Sequence, residues 1–202
     1  PRPSKKEERV IAFMKDFGKN LGLETIEDEV GNVIIKKPAT EGMENRTTIV
    51  MQSHLDMVHQ KNGDTVFDFD TQGIEMVVEG DWVKAKGTTL GADNGLGVAT
   101  IMAILESTDI QHPAIEALFT IDEETGMTGA MGLKGGLLTG AILLNLDTEE
   151  DDEIGVGCAG GIDVTATRTY EEEETPEFKI GYKISVKGLS LIHISEPTRL
   201  RR

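Results

Sequence analysis

Apolar residues recur at helical spacing near the start of the chain: Val10, Ile11, Met14, Phe17 and Leu21. That period predicts an amphipathic helix over residues 5–21. Ser4, with Glu7 three residues on, reads as a capping box that opens the helix, and Gly22 as its end. Residues 30–35 predict a strand interrupted by the turn-forming pair Gly31-Asn32, and the β-branched run 47–53 (TTIVMQS) a buried strand. Two short strands within 74–85 flank Gly80-Asp81, a hairpin signal. Over 93–107, Leu96, Val98, Ile101, Met102, Ile104 and Leu105 predict a helix apolar nearly all round, and therefore buried. Residues 114–121 and 141–146 predict further buried strands. Strands alternating with helices, and strands that are continuously apolar, point to the α/β class with a sheet covered on both faces.

From about residue 161 the texture changes. Alternating polar strands are expected at 162–169 and 178–187, around the acidic run Glu171–Glu174, which reads as the start of a second domain. Residues 190–202 have neither apolar period nor turn logic, and 189–199 resemble the translation of a transposase-type sequencing adapter. The expected organisation is a first domain over 1–160, the beginning of a second over 161–189, and a non-native tail over 190–202.

Composition narrows the function classes. The 202 residues carry 36 acids against 20 Lys and Arg, a net charge of −16. This argues against nucleic-acid or anionic-membrane partners, which need clustered basic residues. Residues 147–177 hold twelve of the acids and one Arg, so much of that charge is expected to be solvated surface. The single Cys158 excludes an internal disulfide framework and fits a reducing, cytoplasmic compartment. No run approaches the roughly 18 apolar residues of a membrane span, and nothing at the start reads as a secretory signal. The chain opens on Pro1 rather than Met, which reads as an internal start.

Candidate chemistry gathers at element ends, where open α/β sheets bind ligands. His54 and Asp56 follow the buried strand 47–53, and at i and i+2 in extended chain they face one side. Such a His is a metal ligand or an ordinary buried histidine. Asp93 stands at the start of the apolar helix, as either its N-cap or a metal ligand. Glu123 and Glu124 terminate the strand 114–121 and, as successive residues, point in different directions. Asp147 ends the strand 141–146. His59 and His112 lie in expected loops without acidic company and receive no role. One His with several carboxylates describes a site for divalent ions, and Zn²⁺ accepts both donor types. Two such ions about 3.5–4 Å apart would activate a water and polarise a carbonyl.

The ordered strings IVMQSHLDMV, KGTTLGADNGLG, TIDEETGMTGA, LLNLDTEE and GCAGGID resemble the aminoacyl-histidine dipeptidases, a group within the dinuclear zinc exopeptidases and deacylases. The resemblance runs from Pro1 to Leu189. It implies a zinc-exopeptidase-like mixed sheet flanked by helices, with the start of an inserted α+β lid domain. It also implies hydrolysis of dipeptides, Xaa-His among them, by a water activated between two Zn²⁺, with Co²⁺ or Mn²⁺ as alternatives. By the same resemblance His54 and Asp147 bind one zinc, Glu124 the other, and Asp93 bridges them; Asp56 orients His54, and Glu123 is the general base. A final His ligand and a lid His in a GGHSG motif are expected of such enzymes. The first is not found in the chain, and His193, at the offset of the second, stands between Ile192 and Ile194. A homodimer is expected at full length, and inactivity for the 202 residues alone. The alternatives are an N-acyl-amino-acid deacylase or tripeptidase using the same site, or a truncated fragment that only binds metal.

Overall fold

The computed structural model describes residues 1–148, 152–157, 164–169, 171, 174, 178 and 182. They fall into two units, 1–153 and 154–202. Among the described residues of the second unit there is no helix or strand, so the strand expected at 162–169 is not formed over 164–169. Cys158, most of 178–187 and all of 190–202 lie outside the described residues.

The first unit contains α1 (Glu8–Asn20), β1 (Glu24–Glu27), β2 (Val33–Lys37), β3 (Ile49–His54), β4 (Met76–Glu79), β5 (Trp82–Ala85), α2 (Ala92–Glu106), β6 (Ile115–Thr120), α3 (Thr128–Gly132) and β7 (Ile142–Asn145). Five strands form one mixed sheet in the order β1-β2-β6-β3-β7. The β1-β2 and β2-β6 pairs are antiparallel, whereas β6-β3 and β3-β7 are parallel. The expected hairpin is present as the separate pair β4-β5, turning at Gly80 with φ 61°.

The main core packs α1 and α2 onto one sheet face through Met14, Val98, Ile101 and Leu105 against Val33, Ile35, Met51, Ile115 and Phe119. On the opposite face Ile34, Val50 and Leu118 meet Leu133, Leu137 and Leu138, which follow α3. The cover on that side is thinner than the sequence pattern suggests. β6 is buried at every residue because it lies at the centre of the sheet.

Four expectations need correction. The helix expected from residue 5 begins at Glu8, and no side chain caps it: Ser4 and Glu7 bond elsewhere. β1 arises where no strand was expected. Its four residues ETIE are too short and too polar to stand out, and among the described residues they pair only on one side, at the sheet edge. α2 is not buried all round. Asn94, Gly97, Val98, Ile101 and Leu105 face the core, while Leu96 is 70% exposed. β7 is exposed throughout, because it occupies the other edge of the described sheet.

Candidate metal centre

The site lies at the C-terminal ends of the parallel strands β3, β6 and β7, beside the start of α2. β3 ends on His54, whose imidazole is 1% exposed. Its Nδ1 lies 3.2 Å from Asp56 Oδ1, as the i, i+2 spacing anticipates. Its Nε2 faces outward to three carboxylates: Asp93 Oδ1 at 3.0 Å, Asp147 Oδ1 at 3.7 Å and Glu123 Oε2 at 4.0 Å.

Asp93 therefore does not cap α2. The N-cap position is Gly91, held at φ 76°, and the backbone at Asp93 and Asn94 departs from helical geometry, so the Asp93 carboxylate reaches His54. Gly91 is required twice over: its φ is left-handed, and a Cβ there would meet Met57 Sδ at 2.8 Å.

Glu123 and Glu124 belong to the turn after β6, and they do diverge. Ligand atoms of His54, Glu123 and Asp147 come within 4.8 Å of one another, and so do those of His54, Asp93 and Glu124. All the side chains singled out from the sequence thus converge on one imidazole. The geometry does not separate base from ligand, because Glu123 is grouped with Asp147 as closely as Glu124 is with Asp93.

The electrostatics follow from this crowding. Burial opposes a charge on His54, but the hydrogen bond with Asp56, the charges of Asp147 and Asp56, and the hydrogen bond with Asp93 push its pKa up to about 9. Burial likewise opposes a charge on Asp56. It is outweighed by hydrogen bonds from His54, Ser4 and the amides of Glu123 and Glu124, which hold the carboxyl well below the usual range. Glu123 is raised by burial and by the charges of Asp147, Asp56 and Asp93, against the pull of His54. Glu124 is raised by burial and by Asp93, Glu123 and Asp56.

The donor set suits a divalent metal. Asp93, Glu123, Glu124 and Asp147 share one imidazole, and among the described residues no Lys or Arg forms an ion pair with any of them. A cation would relieve that repulsion, and imidazole with carboxylate oxygen is a donor set Zn²⁺ accepts. A cleft of about 230 Å³ opens beside Glu123 and Asp147, walled by Ile121, Met127, Leu133 and Leu143.

Several contributors have no strong local signal. Asn94 donates from Nδ2 to Asp147 Oδ1 at 2.7 Å and to the Leu146 carbonyl at 2.9 Å, tying the start of α2 to the end of β7. Its place beside Asp93 is the only hint the sequence offers. Asp122, 1% exposed, accepts from the Thr125 and Thr128 hydroxyls, a spacing that could have flagged a self-bonded turn. Arg2 donates to the carbonyls of Leu55, Asp56 and Gly91 across more than fifty residues of sequence, which no local pattern reveals. His59 and His112 stay outside the site. His59 packs edge-on to Phe69, and the buried His112 places Nδ1 2.7 Å from the Pro113 carbonyl.

The sequence pattern of peptidase family M20/M25/M40 matches residues 50–202. The cytosol non-specific dipeptidase of Escherichia coli K12 is 48% identical over 189 residues, covering 94% of this chain and 39% of that protein. Among solved structures, the aminoacylhistidine dipeptidase of Vibrio alginolyticus superposes with a TM-score of 0.73 at 53% identity, covering 75% of this chain and 31% of that one. The aminopeptidase PepT of Bacillus cereus gives a TM-score of 0.62 at 28% identity, covering 73% and 40%. The chain thus spans well under half the length of these relatives.

Proposed function

The chain belongs to peptidase family M20/M25/M40, and from that premise we propose that the full-length protein is a metal-dependent dipeptidase. The observation that carries this reading is the convergence of Asp93, Glu123, Glu124 and Asp147 on His54. The likeness to the Escherichia coli and Vibrio dipeptidases supports the substrate class.

In this reading His54 and Asp147 would hold one Zn²⁺ and Glu124 a second, with Asp93 available to both. Divalent ions so held supply Lewis acidity toward a carbonyl and toward water. Asp56 engages His54 Nδ1 and leaves Nε2 as the donor atom. His54 Nε2 lies 3.0 Å from Asp93 Oδ1, so the two atoms could serve one cation. Glu123 takes the proton from the attacking water as the new C–O bond forms at the scissile carbonyl. It holds that proton and returns it to the departing amine nitrogen as the C–N bond breaks. Its carboxylate suits the task because Oε2 comes within 4.0 Å of His54 Nε2 and Glu123 lines the cleft that opens beside Asp147.

The test is a substrate panel on the full-length protein loaded with Zn²⁺: Xaa-His and other dipeptides, a tripeptide and an N-acyl amino acid. Dipeptide turnover that chelation removes and Zn²⁺ restores is expected. Turnover confined to the tripeptide or the N-acyl amino acid would move the assignment to a tripeptidase or deacylase using the same residues.

A further inference from the structure

Three successive amides of the turn after β6 end on two buried carboxylates from distant parts of the chain. Asp122 N donates to Glu7 Oε1 at 3.0 Å, Glu123 N to Asp56 Oδ1 at 3.0 Å, and Glu124 N to Asp56 Oδ2 at 3.1 Å. Ser4 Oγ donates to that same Asp56 Oδ2 at 2.7 Å. Glu7 is 4% exposed, Ser4 7% and Asp56 fully buried. The segment before α1 is further fastened by Met57 N donating to the Arg2 carbonyl at 3.0 Å, and by the Arg2 guanidinium on the carbonyls of Leu55, Asp56 and Gly91.

Local chemistry would have used Ser4 and Glu7 differently. Together they form a capping-box sequence, yet α1 begins only at Glu8, with Glu7 at its N-cap position and no side-chain cap among the described residues. Conflicts of this kind between local preference and the folded structure mark functional positions. The turn has need of the support, since Asp122 adopts φ 51°, which non-glycine residues rarely take. Glu7 and Asp122 are both buried, so water does not compete for the bond from the Asp122 amide to Glu7 Oε1.

We propose that Ser4 and Glu7 are positioning residues of the active site: Glu7 fixes the 122–124 turn directly, and Ser4 does so through Asp56. Glu123 is thereby aimed at its water. The inference rests on the reading of Glu123 as general base, but its structural half, the clamping of the turn, can be measured without turnover.

The experiment uses the Glu7→Ala, Glu7→Gln and Ser4→Ala variants of the full-length protein. For each, kcat and KM are measured for a dipeptide, along with bound zinc and amide hydrogen exchange at residues 122–124 and in β6. A misplacement near 1 Å costs on the order of 100-fold in rate. Glu7→Ala is therefore expected to lower kcat by about 10- to 100-fold, with KM within about threefold and zinc retained. Exchange should accelerate at 122–124 while β6 stays protected. Glu7→Gln keeps an acceptor oxygen and should recover most of both losses. Ser4→Ala should shift both readouts in the same direction, less strongly.

Unchanged kcat together with unchanged protection at 122–124 in Glu7→Ala and Ser4→Ala would overturn the proposal. So would loss of protection in β6 and the turn together, or failure of both variants to fold, since either would make the contacts ordinary fold stabilisers. If the wild-type protein turns over no dipeptide, the dipeptidase reading fails, while exchange at 122–124 still decides the clamping.

Discussion

Asp56 lies 3.2 Å from His54 across Nδ1 and Oδ1, and the same buried carboxylate accepts the backbone N–H groups of Glu123 and Glu124. One side chain thus links the imidazole that ends β3 to the turn that follows β6. Position and protonation at the site are set together, through a group that does not itself face the open side.

Asp56→Asn is expected to disturb both. The amide would turn an N–H₂ group toward donors already aimed at Asp56, and the charge those donors stabilise would be lost. Unfolding free energy should fall by about 2–4 kcal/mol in a denaturant titration. Zinc affinity should fall about 10- to 100-fold, as for other partners of a ligating His. Unchanged zinc affinity would sever the link between Asp56 and His54.

His54 predicts a pH dependence of metal-free stability. Its folded pKa is raised to about 9, against about 6.5 in the unfolded chain. The folded state therefore binds the extra proton between these values. The contribution is complete below about pH 6.5 and is lost as pH rises through about 9. Urea titrations with chelator from pH 6 to 9.5 should show this decline, and His54→Gln should remove it. Zinc must displace the same proton, so its affinity should increase across the window. Asp56 acts at the other end. Its depressed pKa contributes stability above the ordinary Asp range that is lost on acidification.

Much of the fold was legible where one physical signal dominates. α1, β3, the β4-β5 hairpin and β6 stand close to where periodicity and β-branching put them. Burial was less legible, because an apolar run does not reveal its place in a sheet. β6 and β7 look alike in sequence, but one is central and the other an edge. The candidate residues His54, Asp93, Glu123, Glu124 and Asp147 meet because each stands at the start of an element, at its end or just beyond it, and such positions are readable. Ser4 and Glu7 misled, since their capping pattern is local whereas their partners lie 52 and 115 residues away.

Gly97 should tolerate no larger residue. A Cβ there would collide with Asn94 Oδ1 and Ser53 Oγ and come within 2.8 Å of the Leu146 carbonyl. Gly97→Ala is expected to lower stability by about 1–3 kcal/mol, despite the better helix propensity of Ala. It should also weaken zinc binding, because Asn94 holds Asp147. Thermal unfolding with and without zinc separates the two effects; a stabilised variant would contradict the close approach.

Asp93→Ala should reduce bound zinc from two equivalents per chain in the full-length protein, because Asp93 is assigned between the two ions. Elemental analysis reads this directly, and two equivalents in the variant would remove Asp93 from that place.

Glu123 is assigned the proton transfer and its neighbours the metal. Glu123→Gln in the full-length protein, assayed for dipeptide hydrolysis and for bound zinc on the same sample, separates the two roles. Hydrolysis should be abolished with zinc content at the wild-type level. Activity within tenfold of wild type, or loss of zinc in step with activity, would contradict that assignment.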